Sequence, residues 1–343
     1  GWNPATQAMP IRPKTYEFNP TQGILRKKPN LKAQNTMKTL KITATLLISL
    51  FLTACAAKRP NITIPTHRPP SPITAIKPNV ILVLGGGGAR GFAHLGVLKA
   101  LEAAHIHVDM IIGCSIGSIV GAMYADSANA NTVISTLDHA KRSDFVDVSL
   151  FHFTQGPITG NALQDYLLRH LHAKTFKQLK IPFAAVSTNL ATGQSVALSS
   201  GPIAPAVNAS AALPPFFHPV HLYGMTLVDG GVADTIPVDI AERYHPKLII
   251  AVNIDQDLTP TLPTSILGVF IRSHTIMSNK LSDSIIRHAG SNIIVIHPHI
   301  GAVNVFNTSH RAALIHAGET ATRRVLPNIQ RRIKMINAHQ RTS

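Results

Sequence analysis

Residues 79–84 (NVILVL) form an unbroken apolar, β-branched run that stops at glycines. That pattern predicts a strand buried on both faces and then a tight loop. Phe92, Leu95, Leu98 and Leu101 recur at helical spacing, predicting a helix over 91–104. A second short strand is expected at 109–112, and helix resumes at Ser115 through Ile116, Ile119, Val120 and Met123. This strand–helix–strand–helix order argues for an α/β fold with a parallel component. Further strands are expected at 183–188, 194–198, 226–228, 248–254 and 292–296. Helices are expected at 129–141, 160–171, 203–211, 235–244, 264–280 and 309–325, and no internal repeat is visible. One domain over 79–335, with its motif core at 79–255, accounts for the pattern.

Composition agrees with a single well-buried core: 45% of the 343 residues are hydrophobic and 14% charged. The formal net charge of +16 is unevenly placed. Residues 1–78 hold 12 Lys/Arg against one acid, Glu17, and so carry +11 of it. No zinc-finger spacing, RNP aromatic motif or basic helix with interleaved aromatics accompanies that charge. It reads as a solvated or processed arm, with attraction to anionic lipid heads as the remaining use, not as a nucleic-acid surface. Arg323, Arg324, Arg331 and Arg332 make a solvated basic terminus. The two cysteines, Cys55 and Cys114, allow no disulfide framework and no Cys-rich zinc site.

From Met37 the chain has the order of an export signal. Lys38 and Lys41 precede an apolar run over 42–52 (ITATLLISLFL), too short to span a bilayer but suited to a signal-peptide core. Leu52-Thr53-Ala54-Cys55 follows and resembles the bacterial lipobox, which implies lipidation of Cys55 and cleavage before it. Ala56 after the cysteine resembles outer-membrane sorting. Residues 37–54 are thus expected to be a lipoprotein signal peptide and 1–36 an upstream extension. Residues 56–78 hold six prolines and no acid, which favours extended chain. At ~3.1 Å per residue that segment would reach roughly 70 Å, so 55–78 reads as a lipidated tether.

Three stretches carry chemistry. Gly113-Cys114-Ser115-Ile116-Gly117 has the G-x-S-x-G spacing of a nucleophile elbow, with the serine on a sharp turn from strand to helix. Cys114 is a competing nucleophile one position from the apex. Asp229-Gly230-Gly231 offers a carboxylate on a glycine-flanked turn: a base, or a turn and nothing more. A free aspartate is a weak base, so the role needs desolvation to raise its pKa. Gly85-Gly86-Gly87-Gly88-Ala89-Arg90-Gly91 supplies backbone N–H groups at a helix N-terminus, suited to an oxyanion. The same G-x-G-x-x-G is a weak dinucleotide fingerprint; Asp109 opens its strand where that reading needs an acid to close it. Arg90 braces the loop or adds charge to it. The 18 histidines leave a Ser–Asp–His triad open by count. His297-Pro298-His299 has no third metal ligand beside it in sequence, and no D-x-D-x-D-G calcium loop occurs. Pro214-Pro215-Phe216-Phe217 is an apolar wall for an acyl chain or a packing turn.

Together these stretches resemble the patatin-like phospholipase family in its bacterial branch. The resemblance rests on VILVLGGGGARGFAHLGVLKALE and IIGCSIGSIVGAMYA within 80–125, and on AVNASAALPPFFHPVHLYGMTLVDGGVADTIPV at 206–238. It covers about 79–255, with the three motifs in the family's order. It implies a three-layer α/β/α fold with a central, mostly parallel sheet and a nucleophile elbow. It also implies a Ser–Asp dyad without histidine: Ser115 as nucleophile, Asp229 as base, and Gly86, Gly87 and Gly88 lining the oxyanion hole. Arg90, Gly91, Gly113, Gly117, Gly230 and Gly231 would support the motifs. Asn208 stands where many relatives carry an arginine, and residues after 255 match less clearly, which leaves substrate choice open. The implied activity is release of fatty acids from phospholipid or lysophospholipid through an acyl-enzyme, without a cofactor, at a membrane surface reached through Cys55. A broader carboxylesterase or thioesterase on soluble esters, and a membrane-tethered adaptor without turnover, are the competing expectations.

Overall fold

The computed structural model describes residues 16–19, 24–27, 76–148, 156–301, 303 and 309–342. The expected signal peptide at 37–54, Cys55 and the tether up to residue 75 lie outside them. Residues 1–63 form one unit, in which strands β1 (Tyr16–Asn19) and β2 (Ile24–Lys27) pair antiparallel. The rest of the chain is a second unit, and it holds all the elements that follow.

The period-2 alternation of the strands sorts the core into two halves. In β3 (Val80–Leu84), Val80, Leu82 and Leu84 join one cluster of buried residues, while Ile81 and Val83 join another. The same division runs through β4 (Met110–Cys114), where Ile111 opposes Met110 and Ile112. In β9 (Leu248–Val252) it separates Leu248, Ile250 and Val252 from Ile249 and Ala251. A strand buried on both faces needs helices on both faces, so the unit has three layers. The larger cluster takes in α1 (Phe92–Ala103), α2 (Ile116–Ser127), α4 (Asn161–His170) and α5 (Ile203–Ser210). The smaller is closed by α6 (Val238–Glu242) and the end of α7 (Ile266–His288), through Val238, Ile240, Ile285 and Ile286.

The remaining elements are α3 (Ala130–Asp138), β5 (Phe183–Asn189), β6 (Ser195–Leu198), β7 (Val220–Leu222), β8 (Met225–Asp229), β10 (Ile293–Ile296) and α8 (Arg311–Thr342). The sheet runs β10-β9-β3-β4-β5-β8-β7, with β6 on β5. The pairs β10–β9, β9–β3, β3–β4 and β4–β5 are parallel; β6, β8 and β7 add antiparallel pairings. This is the expected α/β class with a central, mostly parallel sheet.

One feature of the register positions the site. β5 pairs with β4 through Phe183–Val186 and with β8 through Ser187–Asn189. Because β6 occupies the other edge over 185–188, β4 and β8 share one edge end to end. Cys114 pairs with Val186 and Asp229 with Ser187, the next residue along. The last residue of β8 therefore lands beside the first residue after β4.

Most expected elements appear within a few residues. The differences have physical reasons. The second strand starts at Met110, because Asp109 turns its carboxylate back to accept from the N–H groups of Asn79 and Val80. β7 escapes notice as a three-residue strand. α8 continues through Pro327 to residue 342, tolerating the lost backbone bond instead of ending at 325.

Candidate active site

Ser115 sits between β4 and α2 with φ 53° and ψ −121°, a conformation that costs an L-residue about 1–3 kcal/mol. The strain persists because its surroundings fix it. A Cβ on Gly113 would collide with the Gly117 carbonyl, and one on Gly117 with that of Leu84. These two glycines let strand, turn and helix close together. The Ser115 N–H donates to Ser210 Oγ at 3.0 Å, and Ser210 donates onward to the Val186 carbonyl at 2.6 Å. Ser118 Oγ donates to the Ser115 carbonyl at 2.7 Å. The turn is thus tied to α5, β5 and α2.

Ser115 Oγ donates to Asp229 Oδ2 at 2.6 Å. The second oxygen, Oδ1, accepts from the Gly231 N–H at 2.8 Å. Asp229 is buried, and burial pushes its pKa up to about 6; the bonds from Ser115 and Gly231 oppose the shift. Desolvation makes the carboxylate a stronger base than a free aspartate, and it remains largely ionised at neutral pH. Gly230 is needed for close approach, since a Cβ there would strike the Val186 carbonyl. Thr188 Oγ1 donates to the Asp229 carbonyl at 2.9 Å and holds the turn against β5.

Among the 18 histidines, His274 lines the same cavity, but Ser115 Oγ points to Asp229. His94 is buried with Nε2 on the Gly85 carbonyl at 2.8 Å, and burial lowers its pKa to about 4. It is a neutral brace beneath the glycine loop.

The glycine loop departs from expectation at one position. Gly86, Gly87 and Gly88 all line the cavity beside Ser115, but the Gly86 N–H donates to the Thr235 carbonyl at 2.9 Å. It is therefore not available to an oxyanion. The N–H groups of Gly87 and Gly88 have no partner among the described residues, and Gly88 opens a 3-10 turn over Gly88–Gly91 that leads into α1. Arg90 braces this loop: it is buried, and its Nε donates to the Gly87 carbonyl at 2.8 Å. Gly91, at the start of α1, lies against Ile116 at the start of α2. Cys114 is removed as a competing nucleophile. It is fully buried, and burial together with Asp229 pushes its thiol pKa up, away from thiolate.

These groups open into a cavity of about 260 Å³. Its walls include Phe145, Phe216, Phe217 and Phe270 beside Leu163 and Ile271. Phe216 and Phe270 meet edge to face with centroids 6.4 Å apart. Of the Pro214–Phe217 run, Pro214, Phe216 and Phe217 line the cavity, which favours the apolar-wall alternative over a packing turn. The wall from α7, with Phe270 and His274, was not singled out in the sequence, since no motif marks it. Asn208 is buried on α5 against Gly160, and its Oδ1 has no partner among the described residues. His299 lies 3.7 Å from Asp257 at the surface, outside this cavity. Among the described residues no three His, Cys, Asp or Glu side chains are arranged to hold a metal.

Comparison with known proteins finds similarity over the stretch that holds these motifs. Residues 82–242 match the patatin-like phospholipase family. Patatin-like phospholipase domain-containing protein 6 of Homo sapiens is 36% identical over 189 residues, which are 52% of this chain and 14% of that protein. An uncharacterized NTE family protein of Mycobacterium tuberculosis is 30% identical over 214 residues, 57% of this chain and 56% of that protein. Lysophospholipase NTE1 of Mycosarcoma maydis is 35% identical over 180 residues, 50% of this chain and 9% of that protein. The chain thus spans a minor part of the first and third relatives and just over half of the second. Among solved structures, VipD from Legionella pneumophila is similar with a TM-score of 0.48 and 16% identity, over 81% of this chain and 72% of that one. The matched stretch begins within β3, ends with α6 and takes in both the elbow and the Asp-Gly-Gly turn; over residues 82–242 the chain is similar to patatin-like phospholipases.

Proposed function

We propose that this protein is a serine lipid acyl hydrolase of the phospholipase A or lysophospholipase type, working through Ser115 and Asp229. The observation that carries the reading is the 2.6 Å bond from Ser115 Oγ to a buried Asp229, at the side of an apolar cavity. Asp229 takes the hydroxyl proton as Oγ attacks the ester carbonyl. The N–H groups of Gly87 and Gly88 receive the oxyanion, next to the positive end of the turn that begins α1. The alcohol leaves with the proton from Asp229, and an acyl-serine remains. Water, deprotonated by Asp229, then attacks the acyl-serine; Ser115 recovers its proton and a fatty acid departs. The phenylalanine-lined cavity suits an acyl chain, which supports lipid over small polar esters. The relatives named as lysophospholipases support the same substrate class.

The test is fatty-acid release from phosphatidylcholine and lysophosphatidylcholine vesicles by the wild type, Ser115→Ala and Asp229→Ala. Release abolished in both variants supports the dyad and ranks the two lipids. A wild type that releases nothing and whose Ser115 resists a fluorophosphonate probe would sink the enzyme reading in favour of a tethered adaptor. Labelling without lipid release would move the substrate to soluble esters.

We also read Cys55 as a lipidation site that holds the enzyme at a bacterial outer membrane, on the strength of the apolar run and Leu-Thr-Ala-Cys order at 42–55. Incorporation of labelled palmitate that persists in Cys55→Ala would overturn it.

A further inference from the structure

α7 is built inside out. Over 23 residues its only buried side chains are two hydroxyls, Thr275 and Ser282. Thr275 Oγ1 donates to the Ile271 carbonyl at 2.9 Å, and Ser282 Oγ to Asp255 Oδ1 at 3.2 Å. Asn279 Nδ2 donates to the Gln256 carbonyl at 2.8 Å. The bonds from Asn279 and Ser282 thus fasten this face to the segment after β9, while Thr275 bonds back to its own helix. At 100° per residue, Ile266, Val269, Phe270, Ile276 and Met277 fall on the opposite side, and all five are exposed. Ile266 is 94% exposed and Met277 62%; Leu262, on the preceding loop, is 77% exposed. A soluble helix ordinarily puts its apolar stripe inward. A contiguous apolar face turned outward marks a surface that meets another apolar phase.

Two observations identify that phase. The stripe is continuous with the catalytic cavity, because Phe270 belongs to both. The flanking charge is positive: α7 carries Arg272, Lys280 and Arg287 against the single acid Asp283. Exposed Lys141 and Arg142 line the cavity as well. An apolar stripe edged by cations beside the mouth of a lipid-cleaving cavity has the chemistry of an interfacial helix. We propose that the outer face of α7, with Leu262, seats this protein on an anionic phospholipid bilayer and opens the cavity onto it. The proposal rests on the lipid-hydrolase reading for its substrate. It requires no lipid on Cys55, since the contact is made by the folded unit itself.

The test uses the full chain with a probe local to α7, so that the N-terminal apolar run does not obscure it. Trp2 is the sole tryptophan. In a Trp2→Phe background, Ile266→Trp should shift its emission to the blue on phosphatidylglycerol-containing vesicles and be quenched by brominated acyl chains. The effect should be weaker on phosphatidylcholine alone. In the wild-type background, Leu262→Glu with Ile266→Glu should lower hydrolysis of vesicle lipid at least about tenfold, while a dissolved short-chain ester is cleaved at the unaltered rate. Unchanged Trp emission on vesicles, or an unchanged vesicle rate in the double variant, overturns the proposal. So does emission already blue without lipid that reddens on dilution, which assigns the face to a second copy of the chain. A wild type that cleaves neither ester removes the hydrolase reading alone, and the fluorescence still decides the docking.

Discussion

Two of the helices that border the cavity are made in opposite ways. α1 meets it through Phe92 and buries eight of its twelve residues, among them Leu95, Val97, Leu98 and Leu101. α7 meets it through Phe270 and Ile271 and fully buries two hydroxyls, with Ile266, Leu267, Val269, Ile276 and Met277 outside. The α1 side belongs to the same packed layer as the elbow helix α2, so the reacting groups are held by core contacts. The α7 side is attached by polar bonds from Asn279, Ser282 and Arg272 to the segment after β9, and at its C-terminal end by Ile285 and Ile286. Chemistry needs reacting atoms fixed to fractions of an ångström, and a dense core supplies that. A surface that admits lipid needs apolar area left open. The cavity divides these demands between its two walls.

The largest effect should come from the packed wall. Ser115→Ala removes the proposed nucleophile and should lower the rate of ester cleavage at least about a thousandfold, measured on any ester that the wild type cleaves. Equal rates in the variant would separate the cavity from the chemistry. Asp229→Asn keeps the shape but removes the proposed base, with an expected loss of about a hundredfold or more. The pH profile supplies the sharper test. The base must be ionised, so wild-type kcat/KM should rise with pH through an inflection near 6, set by the raised pKa of Asp229. A profile flat from pH 5 to about 8 would deny Asp229 that role.

That packed wall was also the legible one. Ser115, Asp229 and the glycine loop announce themselves because close backbone approach demands glycine, and glycines at fixed spacing are visible in a string of letters. The donor role of Gly86 was not legible, because it depends on where the Thr235 carbonyl falls, a long-range packing result. Nor was the wall from α7. Periodicity over 264–280 predicts a helix with an apolar stripe, but a stripe has the same period whether it faces the sheet or the solvent. The inward Thr275 and Ser282 settle the direction, and the partner of Ser282, Asp255, lies on a segment distant in sequence. The pairing of β8 behind β4, which brings Ser115 to Asp229, likewise depends on β6 occupying the far edge of β5.

Stability should follow the same division. Leu98→Ala in α1 removes a fully packed side chain and should cost about 2–5 kcal/mol in denaturant unfolding. Ile266→Ala in α7 removes an equally apolar side chain from an exposed position and should stay within about 0.5 kcal/mol. Comparable losses at both positions would mean that α7 is covered within this protein, and would erase the contrast between the walls.

A smaller effect carries its own sign. Asp229 has its pKa raised from 3.8 to about 6 by burial, so the folded state holds this proton more tightly than the unfolded chain does. Its contribution to folding is therefore least unfavourable below about pH 4 and becomes a full penalty above about pH 6. Asp229→Asn removes the charge and with it the penalty, while an amide can still accept from Ser115 or Gly231. The variant should be more stable than the wild type at pH 8 by about 1–3 kcal/mol, and the gain should shrink towards zero as the pH falls to 4. Unfolding by urea at the two pH values measures it. A variant less stable at pH 8 would mean that the bonds to Ser115 and Gly231 outweigh desolvation, and that the carboxylate is held as a structural anion. The packed wall would then hold its base ready through hydrogen bonds alone, and the activity profile would lose its inflection near 6.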